Sequence, residues 1–318
     1  MLCLGIESTA HTFGAAVVDG KGKILSNERS VYTSEGKGIV PREVARWHEE
    51  KKDGVITVAL EKAGITLGDV ELVAYSRGPG IGNCLAVGLK AAEALGKPTV
   101  GVNHCVSHLE IGRLVTKARD PVFLYVSGAN TQIIAFEGKK YRVFGETLDI
   151  GVGNLLDKFA RELELGFPGG PKLYELGKAG HYLPMPYGVK GMDVCFSGLL
   201  THASKLVGKE TAADLAYSLQ ETAFSMLIEV SERAMAHCGK KELLLGGGVA
   251  ASKILQEKAE VMCAERGATC FPIPPLLAVD NAAMIAWQGI LERRNARVGS
   301  WDINPDWRTD DVAVYWRA

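Results

Sequence analysis

Two short apolar runs open the chain, Leu2–Ile6 and Phe13–Val18, with the polar stretch Glu7-Ser-Thr-Ala-His11 between them. Apolar runs of that length, bounded by polar turns, predict strands. Gly20-Lys-Gly22 predicts a hairpin turn into a third strand at Lys23–Arg29. The stretch from Pro41 to Ala63 reads as a long helix, with Pro41 in its first turn and Gly64 at its end. A strand at Val70–Ser76, a helix over 83–95, a strand over 97–102 and a helix over 106–115 follow. Then the pattern restarts. Val122–Val126 reads as a strand, Ser127-Gly-Ala-Asn-Thr131 as a small polar turn and Gln132–Phe136 as a strand. Gly138-Lys-Lys140 is a hairpin turn into Tyr141–Glu146. This repeat of order predicts two similar lobes from an internal duplication. Past residue 150 helices dominate, over 152–165, 171–180, 197–207, 210–238 and 250–266. Strands are expected at Glu242–Leu245 and Thr269–Pro275, and a last helix over Asp280–Arg293. The tail holds Trp301, Trp307 and Trp316 among charged residues and reads as an irregular wrap.

A chain of 318 residues, 47% of them hydrophobic, is expected to form two domains. The boundary is placed at 121/122: a first lobe over 1–121 and a second over 122–318, with a tail from about 280 that could pack back on the first. The net charge of −1 offers no global attraction for a polyanion. Nucleic acid would need a local basic patch. Lys139 with Lys140 and Arg142, Lys158 with Arg161, and Arg293 with Arg294 and Arg297 are candidates, each of which reads equally well as solvated surface. The seven cysteines form no Cys-x-x-Cys pair, which points to free thiols in a reducing compartment. A strand follows Met1 with no basic leader, and no apolar run approaches ~18 residues. The expectation is a cytoplasmic chain that does not span a membrane.

Candidate chemistry begins at Asn103-His104-Cys105-Val106-Ser107-His108, which follows a strand and opens a helix. Histidines four apart share a helix face, and their imidazoles can reach one metal ion. Three polar turns could hold phosphates: Glu7–His11, Ser127–Thr131 including Asn130, and Gly246-Gly247-Gly248-Val-Ala250, which leads from a strand into a helix N-terminus. Asp157 lies early in a helix after a glycine pair, where it could simply complement the helix dipole. Asp280 precedes the last helix, as an N-cap or as a carboxylate ligand. Tyr125 ends a strand beside the Ser127 turn. Two His, a carboxylate and a phenol would leave open positions on a metal, as Lewis-acid catalysis requires. Together the turns fit an α/β, two-lobed actin/Hsp70/sugar-kinase-like (ribonuclease-H-like) fold with a ligand cleft between lobes. A Walker A loop and a first-strand G-x-G-x-x-G are absent.

These segments resemble, in order and nearly end to end, the universal tRNA threonylcarbamoyltransferase family, in its archaeal and eukaryotic branch, the KEOPS catalytic subunit. The resemblance rests on Leu4-Gly-Ile-Glu-Ser-Thr-Ala-His11, Ser76-Arg-Gly-Pro-Gly80, Val102-Asn-His-Cys105 with His108-Leu-Glu-Ile-Gly-Arg113, and Tyr125-Val-Ser-Gly-Ala-Asn-Thr-Gln132. It continues in Thr147-Leu-Asp-Ile-Gly-Val-Gly-Asn154, Pro168-Gly-Gly-Pro171, Lys190-Gly-Met-Asp-Val-Cys-Phe-Ser-Gly-Leu199, Gly247-Gly-Val-Ala-Ala251 and Asp280-Asn-Ala-Ala-Met-Ile285. The resemblance implies an actin-like fold and transfer of a threonylcarbamoyl group from threonylcarbamoyl-adenylate to N6 of the adenosine 3′ of the anticodon in ANN-decoding tRNAs. It implies a divalent metal, Fe or Zn, on His104, His108 and Asp280, with Tyr125 as a fourth ligand. Ser127, Asp157 and Gly170 would hold the adenylate. It also implies partner subunits, a small protein kinase and a small dimerising protein.

The chain departs from the family pattern at three places. Tyr174 stands where an acidic residue is usual, with Glu175 next to it, and Ser252 stands where Asn is usual. Both positions would touch the adenosine. Trp47-His48 replaces a common His-His. No single residue qualifies as a general base. A zinc protease is disfavoured because Cys105 follows His104, where His-Glu-x-x-His needs its Glu. A small-molecule kinase or ATPase on the same fold, or a scaffold without turnover, are the competing readings.

Overall fold

The computed structural model describes residues 1–33, 40–299 and 301–317. The first stretch of chain runs β1 (Leu2–Glu7), β2 (Thr12–Asp19), β3 (Ile24–Val31), α1 (Pro41–Ala63), β4 (Leu72–Gly78), α2 (Gly82–Ala94), β5 (Thr99–Asn103) and α3 (His104–Thr116). Next come β6 (Val122–Val126), β7 (Thr131–Glu137), β8 (Lys140–Glu146), α4 (Val152–Glu162), α5 (Gly169–Gly177), β9 (Val189–Lys190), β10 (Asp193–Val194), α6 (Ser197–Leu206) and α7 (Ala212–Cys238). The chain ends with β11 (Glu242–Gly246), α8 (Lys253–Glu265), β12 (Thr269–Pro272), α9 (Pro275–Ala278) and α10 (Ala282–Leu291).

The chain divides into two compact units. One comprises Met1–Val115 with Asp280–Ala318, the other Thr116–Val279. Relative to the 121/122 boundary read from the sequence, the division falls a few residues earlier, and everything from Asp280 belongs to the first unit.

In the first unit a five-stranded sheet has the order β3-β2-β1-β4-β5, with β1 antiparallel to β2 and parallel to β4. In the second the order is β8-β7-β6-β11-β12, again with an antiparallel hairpin side and a parallel side. The repeated strand–turn–strand–hairpin–strand order therefore builds the same sheet twice. A parallel neighbour such as β4 needs a crossover, and α1 supplies it.

Helix ends follow the local chemistry. α1 starts on Pro41 and stops at Gly64, whose φ of 69° is left-handed. α7 is capped by Thr211, whose hydroxyl accepts from the Asp214 N–H at 3.1 Å. The helix expected over 250–266 is instead a 3-10 turn at Gly248–Ala251 followed by α8, with Ser252 in extended conformation at the break. The small β9–β10 hairpin and the one-turn α9 lie in stretches whose patterns are too short to announce them.

α10 lies directly on the first sheet. A β-carbon on Gly5 of β1 would overlap the Ala282 carbonyl, so glycine is what allows this close approach. The tail beyond α10 packs on the same unit. Thr99 and Arg297 exchange backbone hydrogen bonds at 2.9 and 3.1 Å, and the Tyr75 hydroxyl donates to the Asp302 carbonyl at 2.6 Å. Each unit has its own apolar core, one around Leu4, Phe13 and Tyr75, the other around Leu124, Phe159, Phe224 and Leu245. Among the described residues no helix is long and apolar enough to cross a membrane.

Candidate functional site

β5 passes into α3 without a loop, so His104 is the first residue of the helix. Asn103 makes this possible: its side-chain oxygen accepts from the Val106 N–H at 3.1 Å, satisfying one of the helix's free donors. His104 and His108 are both buried, with ring centroids 4.7 Å apart and planes at 83°. Asp280 comes from the other end of the unit. The sequence left it open between N-cap and ligand; the cap of α10 is Asn281, which accepts from the Met284 N–H at 3.1 Å. Asp280 is thereby left to face the histidines. Its Oδ1 lies 3.4 Å from His104 Nε2 and 3.3 Å from His108 Nε2.

Three donor atoms thus stand within 4.8 Å of one another. Donors around one tetrahedral ion at ~2.0–2.1 Å stand roughly 3.3 Å apart. Two imidazoles and a carboxylate at this spacing fit a divalent cation and leave further positions open. Burial opposes charge on His104, yet the flanking carboxylates of Glu7 and Asp280 outweigh it and hold its pKa well above the usual value. Burial alone would raise Asp280; the charge on His104 and hydrogen bonds from both rings hold it well below the carboxylate range. Burial pushes His108 down, and the neighbouring His104 adds to this. A group whose proton is held this firmly binds a metal in competition with that proton, so metal affinity at this site depends on pH. Cys105 is no ligand of this group: burial raises its thiol, which bonds to Thr309.

The β1–β2 turn, Glu7–His11, differs from an open anion nest. The Ser8 N–H donates to the Ser76 hydroxyl at 2.9 Å and the Thr9 N–H to Glu7 Oε1 at 2.7 Å. Glu7 and Thr9 lie in the turn that the sequence offered for phosphate, and Asn103 and Asn281 stand next to residues named from it, but the sequence reading gave none of the four a part in the metal site. One signal was available: Glu7 is a charged residue ending an apolar strand, which burial tolerates only with partners.

Tyr125 and the candidate nucleotide-binding residues named from sequence all lie in the second unit. Tyr125 is on β6, buried and stacked on Phe123 at 5.6 Å. Ser127 starts the β6–β7 turn, closed by Ser127 N–H to Asn130 carbonyl at 2.8 Å and Asn130 N–H to Ser127 hydroxyl at 3.1 Å. Gly128 and Ala129 at its tip are exposed. The start of α4 docks on this turn, with Gly153 N–H to Ser127 carbonyl at 3.1 Å and Asn154 N–H to Gly128 carbonyl at 2.9 Å.

One helical turn on, Asp157 Oδ1 accepts from the Gly169 N–H at 2.7 Å. Its structural role is thus to tie the N-terminus of α5 to α4, rather than only to complement a dipole. Burial raises its pKa, against the Gly169 hydrogen bond and Arg161. Gly170 follows on α5, half-buried, and Tyr174 sits one turn further, under the Lys178 ammonium at 4.9 Å. Glu175, beside it, is exposed and paired with Lys178.

After β11, Gly247 has a φ of 89°, and a β-carbon there would overlap the Val126 carbonyl. Gly248 is exposed. Ser252 has a buried hydroxyl oxygen with no hydrogen-bond partner among the described residues. Val126, Ser127, α4, the start of α5 and the Gly247 turn thus form one contiguous group, in which Gly128, Ala129 and Gly248 are exposed. Of the three basic patches, the third is engaged within the first unit: Arg294 lies over Tyr315 at 4.1 Å and Arg297 over Trp301 at 4.3 Å.

Residues 22–287 match the family model described as tRNA N6-adenosine threonylcarbamoyltransferase. The chain is 51% identical, over 99% of its length and 97% of the relative's, to the tRNA N6-adenosine threonylcarbamoyltransferase of Thermofilum pendens. It is 49% identical, over 99% of its length and 100% of the relative's, to the protein of that name from Thermococcus kodakarensis. Among solved structures it is similar to component A of the (R)-2-hydroxyglutaryl-CoA dehydratase of Acidaminococcus fermentans, with a TM-score of 0.59 at 16% identity over 92% of this chain and 99% of that one. It is also similar to a ROK family glucokinase from Streptomyces griseus, with a TM-score of 0.54 at 16% identity over 91% of this chain and 99% of that one. At such identities these two structures speak for the fold alone.

Proposed function

Because the chain belongs to the tRNA N6-adenosine threonylcarbamoyltransferase family, we propose that it moves a threonylcarbamoyl group from threonylcarbamoyl-adenylate to N6 of the adenosine 3′ of the anticodon in ANN-decoding tRNAs. The observation that carries the site assignment is the convergence of His104, His108 and Asp280 on one point. These three would hold a divalent ion, Fe or Zn. Bound there, the ion would supply Lewis-acid polarisation of the carbamoyl carbonyl.

The chain's own residues do the rest. Asp280 and the two imidazoles keep their lone pairs directed at one point. The exposed backbone of Gly128 and Ala129, the start of α5 at Gly170 and the Gly247–Gly248 turn accept the adenylate through N–H groups and a helix N-terminus. Asp157 holds the start of α5 in place, and Tyr174 and Ser252 face the adenosine end. AMP is a good leaving group, so the acceptor amine needs orientation more than a strong base.

A net charge of −1 gives weak capture of tRNA by this chain alone. The small kinase and dimerising subunits of a KEOPS-type assembly are the proposed partners. The test is reconstitution of the metal-loaded protein with such subunits, threonylcarbamoyl-adenylate and an ANN-decoding tRNA, followed by mass spectrometry of the tRNA nucleosides. Threonylcarbamoyladenosine is expected, in amounts that fall with rising salt. A fully partnered, metal-loaded preparation that makes none would overturn the reading in favour of a scaffold.

A further inference from the structure

Glu7 is fully buried, and a carboxylate taken from water must be compensated by donors. Each of its oxygens has a defined task. Oε1 accepts from the Thr9 N–H at 2.7 Å and from the Thr9 hydroxyl. Oε2 lies 3.0 Å from His104 Nδ1. Thr9 is itself fixed from outside the turn, since its carbonyl accepts from the Ile81 N–H at 2.8 Å. Its hydroxyl also stands 3.3 Å from His104 Nδ1. The carboxylate is thus held on one side by backbone and meets the histidine on the other.

An imidazole whose Nδ1 carries the proton toward a carboxylate presents the Nε2 lone pair on the opposite edge. In His104 that edge faces Asp280 Oδ1 at 3.4 Å, the point His108 Nε2 also approaches. Metal-bound histidines are commonly oriented by such an outer carboxylate, which fixes the tautomer and raises ligand basicity.

We propose that Glu7 is a positioning residue of the metal site: it holds His104 in the Nδ1–H form and fixes its ring so that Nε2 is offered to the cation. This rests on His104 being a metal ligand. It also assigns the β1–β2 turn a task other than phosphate binding, because Thr9, within that turn, anchors the orienting carboxylate.

The test is titration of Zn2+ into the metal-free full chain, wild type against Glu7→Gln, Glu7→Asp and His104→Ala, with circular dichroism to confirm folding. Glu7→Gln keeps the shape and loses the charge. It is expected to weaken Zn2+ binding by about 10- to 100-fold, with Glu7→Asp, whose carboxylate is set back by one methylene, in between and His104→Ala without tight binding. Nitrogen-15 spectra of the wild-type imidazoles at alkaline pH give a second readout that needs no variant to fold and no metal to bind. His104 as the Nδ1–H tautomer is the expected result. A folded Glu7→Gln protein with wild-type Zn2+ affinity, or His104 as the Nε2–H tautomer, overturns the inference. If wild type and His104→Ala bind Zn2+ alike, the ligand assignment itself fails, whatever Glu7 does.

Discussion

The last residue of β1 is Glu7 and the last residue of β6 is Val126; each is fully buried and each leads into a turn to an antiparallel neighbour. The two sheets around them have the same strand order. Val126 needs no partner, and the turn after it closes on its own backbone, leaving Gly128 and Ala129 exposed. Glu7 cannot be buried alone, since an unpaired carboxylate in a core costs several kcal/mol. The turn after it therefore folds inward, giving Thr9 to the carboxylate while His104 approaches from β5. One change of residue type at an equivalent strand end separates a turn drawn in around a buried carboxylate from a self-closed turn with an exposed tip.

The largest expected effect separates the two uses. Asp280→Ala removes the shared oxygen of the first unit and should lower transfer by about 10³-fold, the several kcal/mol that Lewis-acid assistance supplies. Adenine-nucleotide binding by the second unit should survive. Nucleoside mass spectrometry with calorimetry on the same variant checks both, and retained transfer would break the division of labour.

Acid should distinguish two histidines of the first unit. His48 is buried beside Phe13 with neither ring nitrogen hydrogen-bonded among the described residues, and burial pushes its pKa down to about 4, with Glu7 opposing and His11 assisting. The unfolded chain takes up this proton near pH 6.5, so stability falls between about pH 6.5 and 4, by up to about 3 kcal/mol. His48→Leu should remove that part of the slope in urea unfolding of the first unit. His104 has the opposite sign. Its raised pKa gives the metal-free protein stability that is present below about pH 6.5 and lost as pH rises through its own pKa. Zn2+ affinity should accordingly weaken on acidification below that raised pKa, because the ion must displace the proton.

Gly247→Ala probes the second unit. Its left-handed backbone and the nearby Val126 carbonyl leave no room for a methyl group. A loss of about 2–3 kcal/mol is expected, with weaker nucleotide binding and unchanged Zn2+ affinity. An unchanged unfolding midpoint would show that the turn relaxes freely.

The smallest effect expected is a gain. Ser252→Asn, alone or with Tyr174→Glu, should tighten adenine-nucleotide binding a few-fold, about 1 kcal/mol, one hydrogen bond's net worth. The Ser252 hydroxyl is buried and has no hydrogen-bond partner among the described residues, so a longer polar side chain there is expected to reach a bound nucleotide. Calorimetry showing no change would place this position away from the ligand.

Much of this molecule was legible in residue order, because the relevant physics is local. α1 appears between Pro41 and Gly64 because ring constraint and left-handed backbone act at single residues. His104 and His108 share a face because a helix repeats every 3.6 residues. The doubled strand–turn–strand–hairpin–strand order was visible in the alternation of apolar and polar stretches, and the two sheets realise it. Tertiary structure alone decided the partners. Asp280, 172 positions from His108, reaches it because Gly5 lets α10 rest on the sheet and because Asn281 takes the capping duty. Glu7 became a partner of His104, 97 positions on, only when β1 and β5 entered one sheet. Ser252 became a break rather than the interior of a helix when the Gly247 turn was held by the Ala278 carbonyl at 3.0 Å. Propensity and periodicity act over a few residues; which distant side chain satisfies a buried charge depends on the path of the whole chain, and no local pattern records it.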